Sequence, residues 1–465
     1  MSHLQALNSY FETKREEHLN ELKEFLRIPS VSALSNHKPD MQTAAAWLAD
    51  SLTKAGLENV SIDETKGHPV VYADWLHAEG KPTILVYGHY DVQPVDPLNL
   101  WESEPFDPQV RDNKLFARGA SDDKGQVYMH VKAIEALFKT EGSLPVNVKF
   151  CIEGEEEIGS PNLPEYVLAN TEKLSADIIV ISDTGMQGPG KPAVCYGLRG
   201  LAGVQIEVKG AKSDLHSGLY GGGVQNSIHA LVEVLDSFRN AEGTIQVDGF
   251  YDNVLPVTEE ERAAYAALEF DEDALKKELG VEELFGEKGF THLERTWVRP
   301  TLEINGVFGG FSGEGIKTVL PAEAGAKITC RLVPNQDPDE IVAKLKAHIE
   351  KHKPIGVSVE VTEFDKGKPF ITPFDHPAIQ AAGRSYEKVY NVPTSYVRGG
   401  GSIPIVAAFD EILGLPVVLM GFGLASENFH APNEHFHLEN FDQGLRVIGD
   451  YYYEIAQFAP QDLKK

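Results

Sequence analysis

A histidine and an aspartate, His89 and Asp91, follow an apolar segment over residues 83–87. The segment Thr-Ile-Leu-Val-Tyr predicts a buried strand of a parallel sheet, and open α/β sheets bind ligands at the carboxyl ends of such strands. A histidine at that edge can bind a metal ion, and a nearby aspartate can fix the orientation of its ring. Taken alone, the same pair could equally form a capped turn with a structural histidine.

Two acidic motifs follow later in the chain. Asp122 lies in Ser-Asp-Asp-Lys-Gly at the start of a helix predicted over 125–139, where an aspartate could also serve only as an N-cap. The acidic run that ends at Glu157 follows a strand predicted over 146–152. Such runs are usually solvated, but contiguous glutamates at the end of a buried strand repel one another, and bound metal ions would relieve that repulsion.

Asp183 and His430 complete the set of candidate residues. Asp183 ends an apolar strand predicted over 177–182, and His430 follows a predicted strand at 416–420 and a glycine-containing turn. The neighbouring loop histidines, His435 and His437, have no strand directly before them, so we expect them to be structural.

These motifs supply two imidazoles and three carboxylates for one edge of a sheet. They are His89, Asp122, Glu157, Asp183 and His430. One bridging carboxylate with two further ligands per ion would complete a hydrolytic site for two metals about 3.5–4 Å apart. Zn²⁺ is the expected ion for mixed histidine and carboxylate ligands, and Mn²⁺ or Co²⁺ would also fit them.

The elements that must position these residues alternate between helix and strand. We predict helices at 4–27, 42–55 and 125–139, with strands at 59–63, 70–75, 83–87, 146–152 and 177–182. This alternation predicts an α/β fold with a mostly parallel sheet flanked by helices.

The pattern changes to α+β near residues 198–202 and returns to α/β from about 374. The middle region has strands predicted at 203–209, 325–333 and 356–363, helices at 226–239 and 337–351, and exposed helices within 257–285. After it come a helix at 377–389, the strand at 416–420 and a helix at 440–457. We therefore expect a catalytic domain formed by 1–199 and 374–465 and interrupted by an inserted α+β domain over 200–373.

Composition excludes several classes of protein. The 465 residues include 42 Lys and Arg against 70 Asp and Glu, a net charge of −28, which disfavours nucleic acid and anionic membranes as partners. The three cysteines are far apart in sequence, so neither a disulfide framework nor a Cys-x-x-Cys zinc site is expected. The first residues lack a signal-peptide pattern, and no apolar stretch is long enough to span a membrane. We expect a cytoplasmic protein.

Taken in order, the five motifs resemble those of M20-family metallopeptidases, the family of carnosinase-like dipeptidases, succinyl-diaminopimelate desuccinylase and glutamate carboxypeptidases. The resemblance extends over nearly the whole chain. It implies that His89 and Asp183 bind one ion, that Glu157 and His430 bind the other, and that Asp122 bridges both. It further implies that Glu156 is the general base and that Asp91 orients His89.

The resemblance also assigns roles to the inserted domain, as a lid and dimerisation domain. His216, in Asp-Leu-His-Ser-Gly, corresponds to a histidine that stabilises the oxyanion in the partner subunit's site, which implies a homodimer. Arg331 corresponds to the arginine that binds the terminal carboxylate of the substrate. Gly401 and Ser402, in Gly-Gly-Gly-Ser-Ile-Pro, correspond to a loop that binds the same carboxylate, although a flexible turn or an anion-binding loop of another purpose would have a similar sequence.

The implied reaction is metal-dependent hydrolysis of short peptides. An aspartate at the position of Asp183 accompanies dipeptidases and aminopeptidases of the family, so dipeptides are the expected substrates. The alternatives within the family are an N-acyl-amino-acid deacylase and a carboxypeptidase. A different class is a non-catalytic homologue that only binds, which loss of a ligand or of Glu156 would indicate; neither residue type is lost here.

Overall fold

The computed structural model describes residues 3–268, 270–401 and 403–464, excluding the side chains of residues 365 and 404. The chain forms two units. The first comprises Met1–Tyr196, Thr372–Val397 and Ala408–Lys465, and the second comprises Gly197–Ile371 and Arg398–Ala407.

Helices and strands alternate through most of the described chain. The helices are α1 (His3–Leu26), α2 (Lys38–Ala55), α3 (Lys124–Glu141), α4 (Leu163–Ala169), α5 (Ser217–Tyr220), α6 (Ser227–Asp236), α7 (Glu259–Ala266), α8 (Glu272–Leu279), α9 (His292–Trp297), α10 (Pro338–His352), α11 (Pro377–Tyr390), α12 (Pro404–Leu413) and α13 (Leu438–Ile455). The strands are β1 (Glu58–Asp63), β2 (Val70–Trp75), β3 (Thr83–His89), β4 (Gln109–Arg111), β5 (Lys114–Phe116), β6 (Asn147–Glu153), β7 (Ile178–Ile181), β8 (Ala193–Leu198), β9 (Gly200–Lys209), β10 (Leu215–His216), β11 (Thr301–Gly309), β12 (Val319–Leu320), β13 (Glu323–Leu332), β14 (Ser358–Gly367), β15 (Phe370–Ile371), β16 (Ser395–Gly399), β17 (Val417–Leu419) and β18 (His435–His437).

A mixed sheet forms the centre of the α/β part of the chain. Its strand order is β1-β2-β6-β3-β7-β17-β8-β15, and β16 also pairs with β8. The four central strands, β6, β3, β7 and β17, are parallel, whereas β1, β2 and β8 join the sheet antiparallel. The predicted α/β class is confirmed, with parallel pairing confined to the centre. The carboxyl ends of the central strands therefore share one edge.

The helices of the first unit cover this sheet largely as the sequence predicts. Helices α1, α3 and α13 pack on one another, and α1 ends at Leu26, shortly before Pro29. Helix α2 ends at Ala55 and is capped by Gly56, whose φ of 107° is left-handed, as expected for a C-cap glycine. It begins earlier than predicted, because a proline is well tolerated in the first turn of a helix.

A small antiparallel sheet joins two loops of the first unit. Its order is β18-β5-β4, and His435 pairs with Phe116 across the β18–β5 contact. Strands this short carry little periodicity, so they were not predicted from the sequence. The pairing fixes the segment before Arg118 against the segment after Glu434.

The second unit contains an antiparallel sheet of order β11-β13-β9-β14. Its core includes Val204 and Ile206 from β9, Ile328 from β13, Leu231 from α6 and Leu345 from α10. The insertion that was predicted to be helical carries α7 and α8. These elements form the α+β part of the predicted fold class.

Two absences hold for the described residues. None of their helices has both the length and the apolar character needed to cross a membrane. The three cysteines, Cys151, Cys195 and Cys330, are buried, and no disulfide links them.

Candidate metal centre

The candidate residues predicted from the sequence lie at the carboxyl edge of the central strands. His89 is the last residue of β3 and pairs with Glu153, the last residue of β6. Asp183 lies two residues beyond β7. Gly88 permits close packing here, because a Cβ atom at this position would lie 2.4 Å from Val127 Cγ2.

One group of side chains that could hold a metal ion consists of His89, Asp122 and Asp183. The Nε2 atom of His89 lies 3.2 Å from Asp122 Oδ1 and 3.9 Å from Asp183 Oδ2. One potential ligand atom from each side chain lies within 4.8 Å of the other two. All three side chains are buried or nearly so.

A second group consists of Asp122, Glu157 and His430. The Nε2 atom of His430 lies 2.9 Å from Asp122 Oδ2 and 3.2 Å from Glu157 Oε2. Asp122 therefore belongs to both groups and directs one carboxylate oxygen toward each histidine. All five residues selected as metal ligands from the sequence come together in these two groups.

The surroundings of the His89 ring also indicate a site for a divalent cation. The Nε2 atom of His89 is buried and makes no hydrogen bond with good geometry to any described residue, although two carboxylates lie close to it. Burying such a polar atom without a partner is costly, and an ion between it and the carboxylates would remove that cost. Imidazole with carboxylates is a donor set that Zn²⁺, Mn²⁺ and Co²⁺ accept.

Asp91 connects the first group to the loop after β6. Its Oδ1 atom lies 3.3 Å from His89 Nδ1, and its carboxylate accepts the backbone N–H groups of Glu156 at 3.3 Å and Glu157 at 3.1 Å. Gln93 donates to Glu157 Oε2 at 2.9 Å. Asp91 thus contacts a candidate ligand and also fixes the backbone that carries Glu156 and Glu157.

The electrostatics of the site favour a bound positive charge. Burial, followed by the charge of Asp122, raises the pKa of Asp183 well above its usual value. Burial also raises the pKa of Glu156, to about 7. Hydrogen bonds with Asp122 and Glu157 raise the pKa of His430 to about 10. Burial opposes the ionisation of Asp122, but its contacts with His430 and His89 outweigh burial and lower its pKa.

Some residues near the site could have purely structural roles, namely capping a helix or fixing a loop, and only some of them do. Asp123 occupies the N-cap position of α3, yet its side chain accepts no hydrogen bond from the helix, so capping does not account for this acidic pair. His435 Nδ1 contacts the backbone oxygen of Asn433, and His437 Nδ1 lies 2.6 Å from Glu427 Oε1. Both histidines have structural contacts, but they lie in strand β18 and not in a loop as the sequence suggested.

Two buried glutamates beside the site were not selected from the sequence. Glu427 accepts hydrogen bonds from Ser121 Oγ at 2.6 Å and from the backbone N–H of Leu424 at 2.9 Å. Glu434 accepts the backbone N–H of Asp122 at 3.1 Å. The available signal was that both flank His430 within eight residues, in a loop that is otherwise uncharged.

The other predicted site residues lie in the second unit or outside the described residues. His216 ends β10, and its Nδ1 atom accepts the backbone N–H of Gly218 at 3.0 Å, so a neutral ring carries its proton on Nε2. Arg331 lies on β13, opposite Thr301 of β11. Gly401 follows β16, and Ser402 lies outside the described residues.

Comparison with known proteins identifies the family. A model of "Peptidase family M20/M25/M40" matches residues 85–454. Cys-Gly metallodipeptidase dug1 of Schizosaccharomyces pombe is 33% identical, over 98% of this chain and 99% of that protein. Beta-Ala-His dipeptidase of Homo sapiens is 32% identical, over 98% and 93%.

A solved structure agrees with these similarities. The M20 family metallo-carboxypeptidase Sso-CP2 from Sulfolobus solfataricus has a TM-score of 0.82 at 34% identity, covering 95% of this chain and all of that one. The matched region includes every residue of the two candidate metal-binding groups. The chain therefore belongs to peptidase family M20/M25/M40, which confirms the resemblance predicted from its motifs.

Proposed function

We propose that this protein is a dipeptidase that hydrolyses its substrates with two divalent metal ions. The observation that carries the proposal is the position of Asp122 between two histidine and carboxylate groups. A shared carboxylate between two ligand sets is the arrangement expected of a two-metal hydrolase. The Cys-Gly and Beta-Ala-His dipeptidases among the relatives support dipeptides as the substrates.

The ligand assignment follows the two groups of side chains. His89 and Asp183 would hold one ion, Glu157 and His430 the other, and Asp122 both. Zn²⁺ is the ion that this donor set favours. Mn²⁺ and Co²⁺ are the alternatives, because ligand type alone does not separate them.

In the reaction, Glu156 would carry the proton. Two bound cations would supply the positive charge that lowers the pKa of an attacking water and polarises the substrate carbonyl. Glu156 is partly buried and belongs to neither ligand group, so its carboxylate could accept a proton from water and release it to the leaving amine. Asp91 holds the backbone of Glu156 through its hydrogen bond to that residue's N–H group.

Substrate recognition would use residues of the second unit. We assign the terminal carboxylate of the dipeptide to Arg331, whose guanidinium can form two parallel hydrogen bonds with a carboxylate. Gly401 and Ser402 would bind the same carboxylate, as the family resemblance implies. A lysine in place of Arg331 would keep the charge and lose the two-pronged geometry.

A homodimer would complete each site, with His216 acting in the partner subunit's site. The edge strand β11 supports this assembly, because Ile304, Val307 and Phe308 expose apolar side chains along it and an uncovered edge strand readily pairs with another chain. The neutral tautomer of His216 could donate from Nε2 to a developing oxyanion.

A cytoplasmic location is part of the same proposal. Three buried cysteines without a disulfide among them fit a reducing compartment. The charge of −28 makes nucleic acid and anionic membranes poor partners.

A carboxypeptidase is the second candidate, because the similar structure of Sso-CP2 is described as a metallo-carboxypeptidase. The two activities differ in substrate length, since a dipeptidase requires the free amine close to the cleaved bond. N-acyl-amino-acid deacylation, the remaining family alternative, differs in having no free amine.

The test is a substrate panel with defined metal content. Chelation should abolish activity, and Zn²⁺, Mn²⁺ or Co²⁺ should restore it. The reconstituted protein should cleave Cys-Gly, β-Ala-His or Ala-Ala faster than Ala-Ala-Ala, N-benzyloxycarbonyl dipeptides or N-acetyl amino acids. Faster cleavage of the blocked dipeptides would favour the carboxypeptidase, and activity that survives complete metal removal would contradict both.

A further inference from the structure

Glu434 is fully buried beside the candidate metal centre but belongs to neither group of candidate ligands. Its Oε2 atom accepts hydrogen bonds from Arg118 Nη1 at 2.8 Å and from the backbone N–H of Gly119 at 2.9 Å. Its Oε1 atom accepts the backbone N–H groups of Ser121 and Asp122, both at 3.1 Å. The carboxylate thus receives four donors, three of them from the backbone of the loop that carries Asp122.

The contacts extend beyond the side chain of Glu434. Its backbone oxygen accepts the N–H of Ala117 at 3.1 Å, in line with the pairing of β18 and β5 that follows. Arg118 is also fully buried and donates to the backbone oxygen of Pro94 at 3.0 Å. A buried carboxylate with a charged partner and backbone donors holds its surroundings in one geometry, because each lost contact leaves a buried group unsatisfied.

Glu434 lies only four residues after His430, and both residues contact Asp122. The three residues therefore form a closed set of contacts. Asp122 touches His430 through its side chain, at 2.9 Å, and touches Glu434 through its backbone. The His430 side chain is 55% exposed, unlike the buried His89, so packing does little to fix it. Its backbone is left-handed, with φ of 57°, a conformation that non-glycine residues keep only when their surroundings hold it.

We infer that Glu434 is a positioning residue that sets the separation between Asp122 and His430 and thereby the affinity of the ion that they would share with Glu157. The inference rests on the proposed function in that these groups bind metal ions. It adds a residue that is not itself a ligand. Glu434 should matter less for the other ion, because His89 is fixed by burial and by Asp91.

The Glu434→Gln variant tests this inference, because glutamine keeps the shape of the side chain and loses the charge and one acceptor. The fold should persist, since Glu427 joins the same two loops through its hydrogen bond with Ser121. In calorimetric titrations of metal-free protein with Zn²⁺, one of the two ions should bind about tenfold to hundredfold more weakly, the usual cost of losing a group that orients a metal ligand. Turnover lost at limiting Zn²⁺ should return at excess Zn²⁺, with KM unchanged.

Glu294→Gln is a matched control from the second unit. Glu294 is also buried, at 2% exposure, pairs with Arg262 at 3.0 Å and accepts the backbone N–H of Thr291. This variant should lower the Tm to a similar degree and leave the binding of both ions unchanged.

Wild-type affinity for both ions in Glu434→Gln, together with a Tm loss like that of Glu294→Gln, would overturn the inference and leave Glu434 a stabilising residue only. If Glu434→Gln does not fold, Arg118→Gln removes the buried counter-charge of the same carboxylate and should weaken the binding of the same ion. Unchanged affinity in that variant would also overturn the inference.

The titration measures metal binding and requires no turnover. A wild-type protein that binds two ions and cleaves no dipeptide would therefore contradict the proposed function and still test Glu434.

Discussion

Asp122 is the single residue on which the candidate site depends most. Each of its carboxylate oxygens faces a different histidine, and its backbone N–H is held by Glu434. Its contacts with the two imidazoles keep it ionised in spite of its burial. One side chain therefore couples the two groups, and removing its carboxylate would disturb both.

At the residue scale, we predict that Glu156→Gln keeps both ions and loses turnover. Glu156 belongs to neither group of candidate ligands, so metal content should match the wild type. An amide cannot accept a proton at neutral pH, and general acid–base catalysis typically contributes about 10²–10⁴-fold, so kcat should fall by that factor. Steady-state kinetics with measured metal content would show this.

Glu165→Gln is the matched control, because Glu165 is an exposed glutamate of α4 that pairs with Lys66 on the surface. It should keep wild-type kcat. Near-wild-type turnover of a metal-loaded Glu156→Gln protein would remove Glu156 as the base.

The residues at strand ends could be selected from the sequence, and those that support them could not. His89 and Asp183 follow apolar segments, and such segments predict where the edge of a sheet lies. Glu434 acquires its role only where its loop meets the loop of Asp122, more than three hundred residues away in sequence. No local sequence pattern indicates that these two loops are in contact. For the same reason the roles of Glu427 and Gln93 could not be predicted from the sequence.

At the scale of elements, the packing of α1 on α3 contains a buried polar cluster centred on Glu135. Its carboxylate accepts a hydrogen bond from Tyr10 at 2.7 Å and from Lys132 at 2.8 Å, and it lies 3.4 Å from His18 Nε2. Burial alone would raise the pKa of Glu135, but contacts with His18, Lys132 and Tyr10 outweigh it and lower the pKa from 4.5 to about 2.

This lowered pKa predicts an acid-dependent contribution to stability. The contribution is fully present above pH 4.5, the unfolded value, and should disappear as the pH falls toward 2, because the unfolded chain takes up the proton first. Its size is on the order of 3 kcal/mol. Glu135→Gln should therefore lower the urea midpoint at pH 7, and its difference from the wild type should shrink in acid.

Glu16→Gln on α1 provides the comparison, because the Glu16 side chain is 82% exposed. It should change the urea midpoint little at any pH. A deficit of Glu135→Gln that stays constant from pH 7 to pH 3 would contradict the role assigned to the charge of Glu135.

Elements with strong periodicity were predicted well, and short or edge elements were not. Helix α1 and strand β3 match their predicted ranges closely, since each buries an apolar face or run. Strand β11 was missed because an edge strand leaves side chains such as Val307 exposed and shows no alternation. The antiparallel margins of the central sheet were also missed, because strand direction depends on connections that the apolar pattern does not encode.

At the scale of the whole molecule, the proposed dimer makes a quantitative prediction. His216→Ala and Glu156→Gln proteins should each be nearly inactive. If His216 serves the partner's site, mixed dimers of the two variants contain one intact site, and random exchange should restore roughly a quarter of wild-type activity. Mixed dimers can be isolated with two affinity tags before assay.

No recovery in confirmed mixed dimers would mean that His216 acts within its own chain or not at all. Val307→Lys supplies an independent check, because a charge on β11 should weaken pairing through that edge. Its sedimentation as a monomer with reduced turnover is the expected result.

The first unit combines an early and a late part of the chain. Its parts are therefore synthesised at different times during translation. Ribosomes release the amino-terminal part first, so β3, β6 and β7 emerge long before the segment that carries His430 and β17. A nascent chain would therefore present an unfinished sheet and at most one complete ligand group. The group of Asp122, Glu157 and His430 would therefore form only after the segment that carries His430 has emerged.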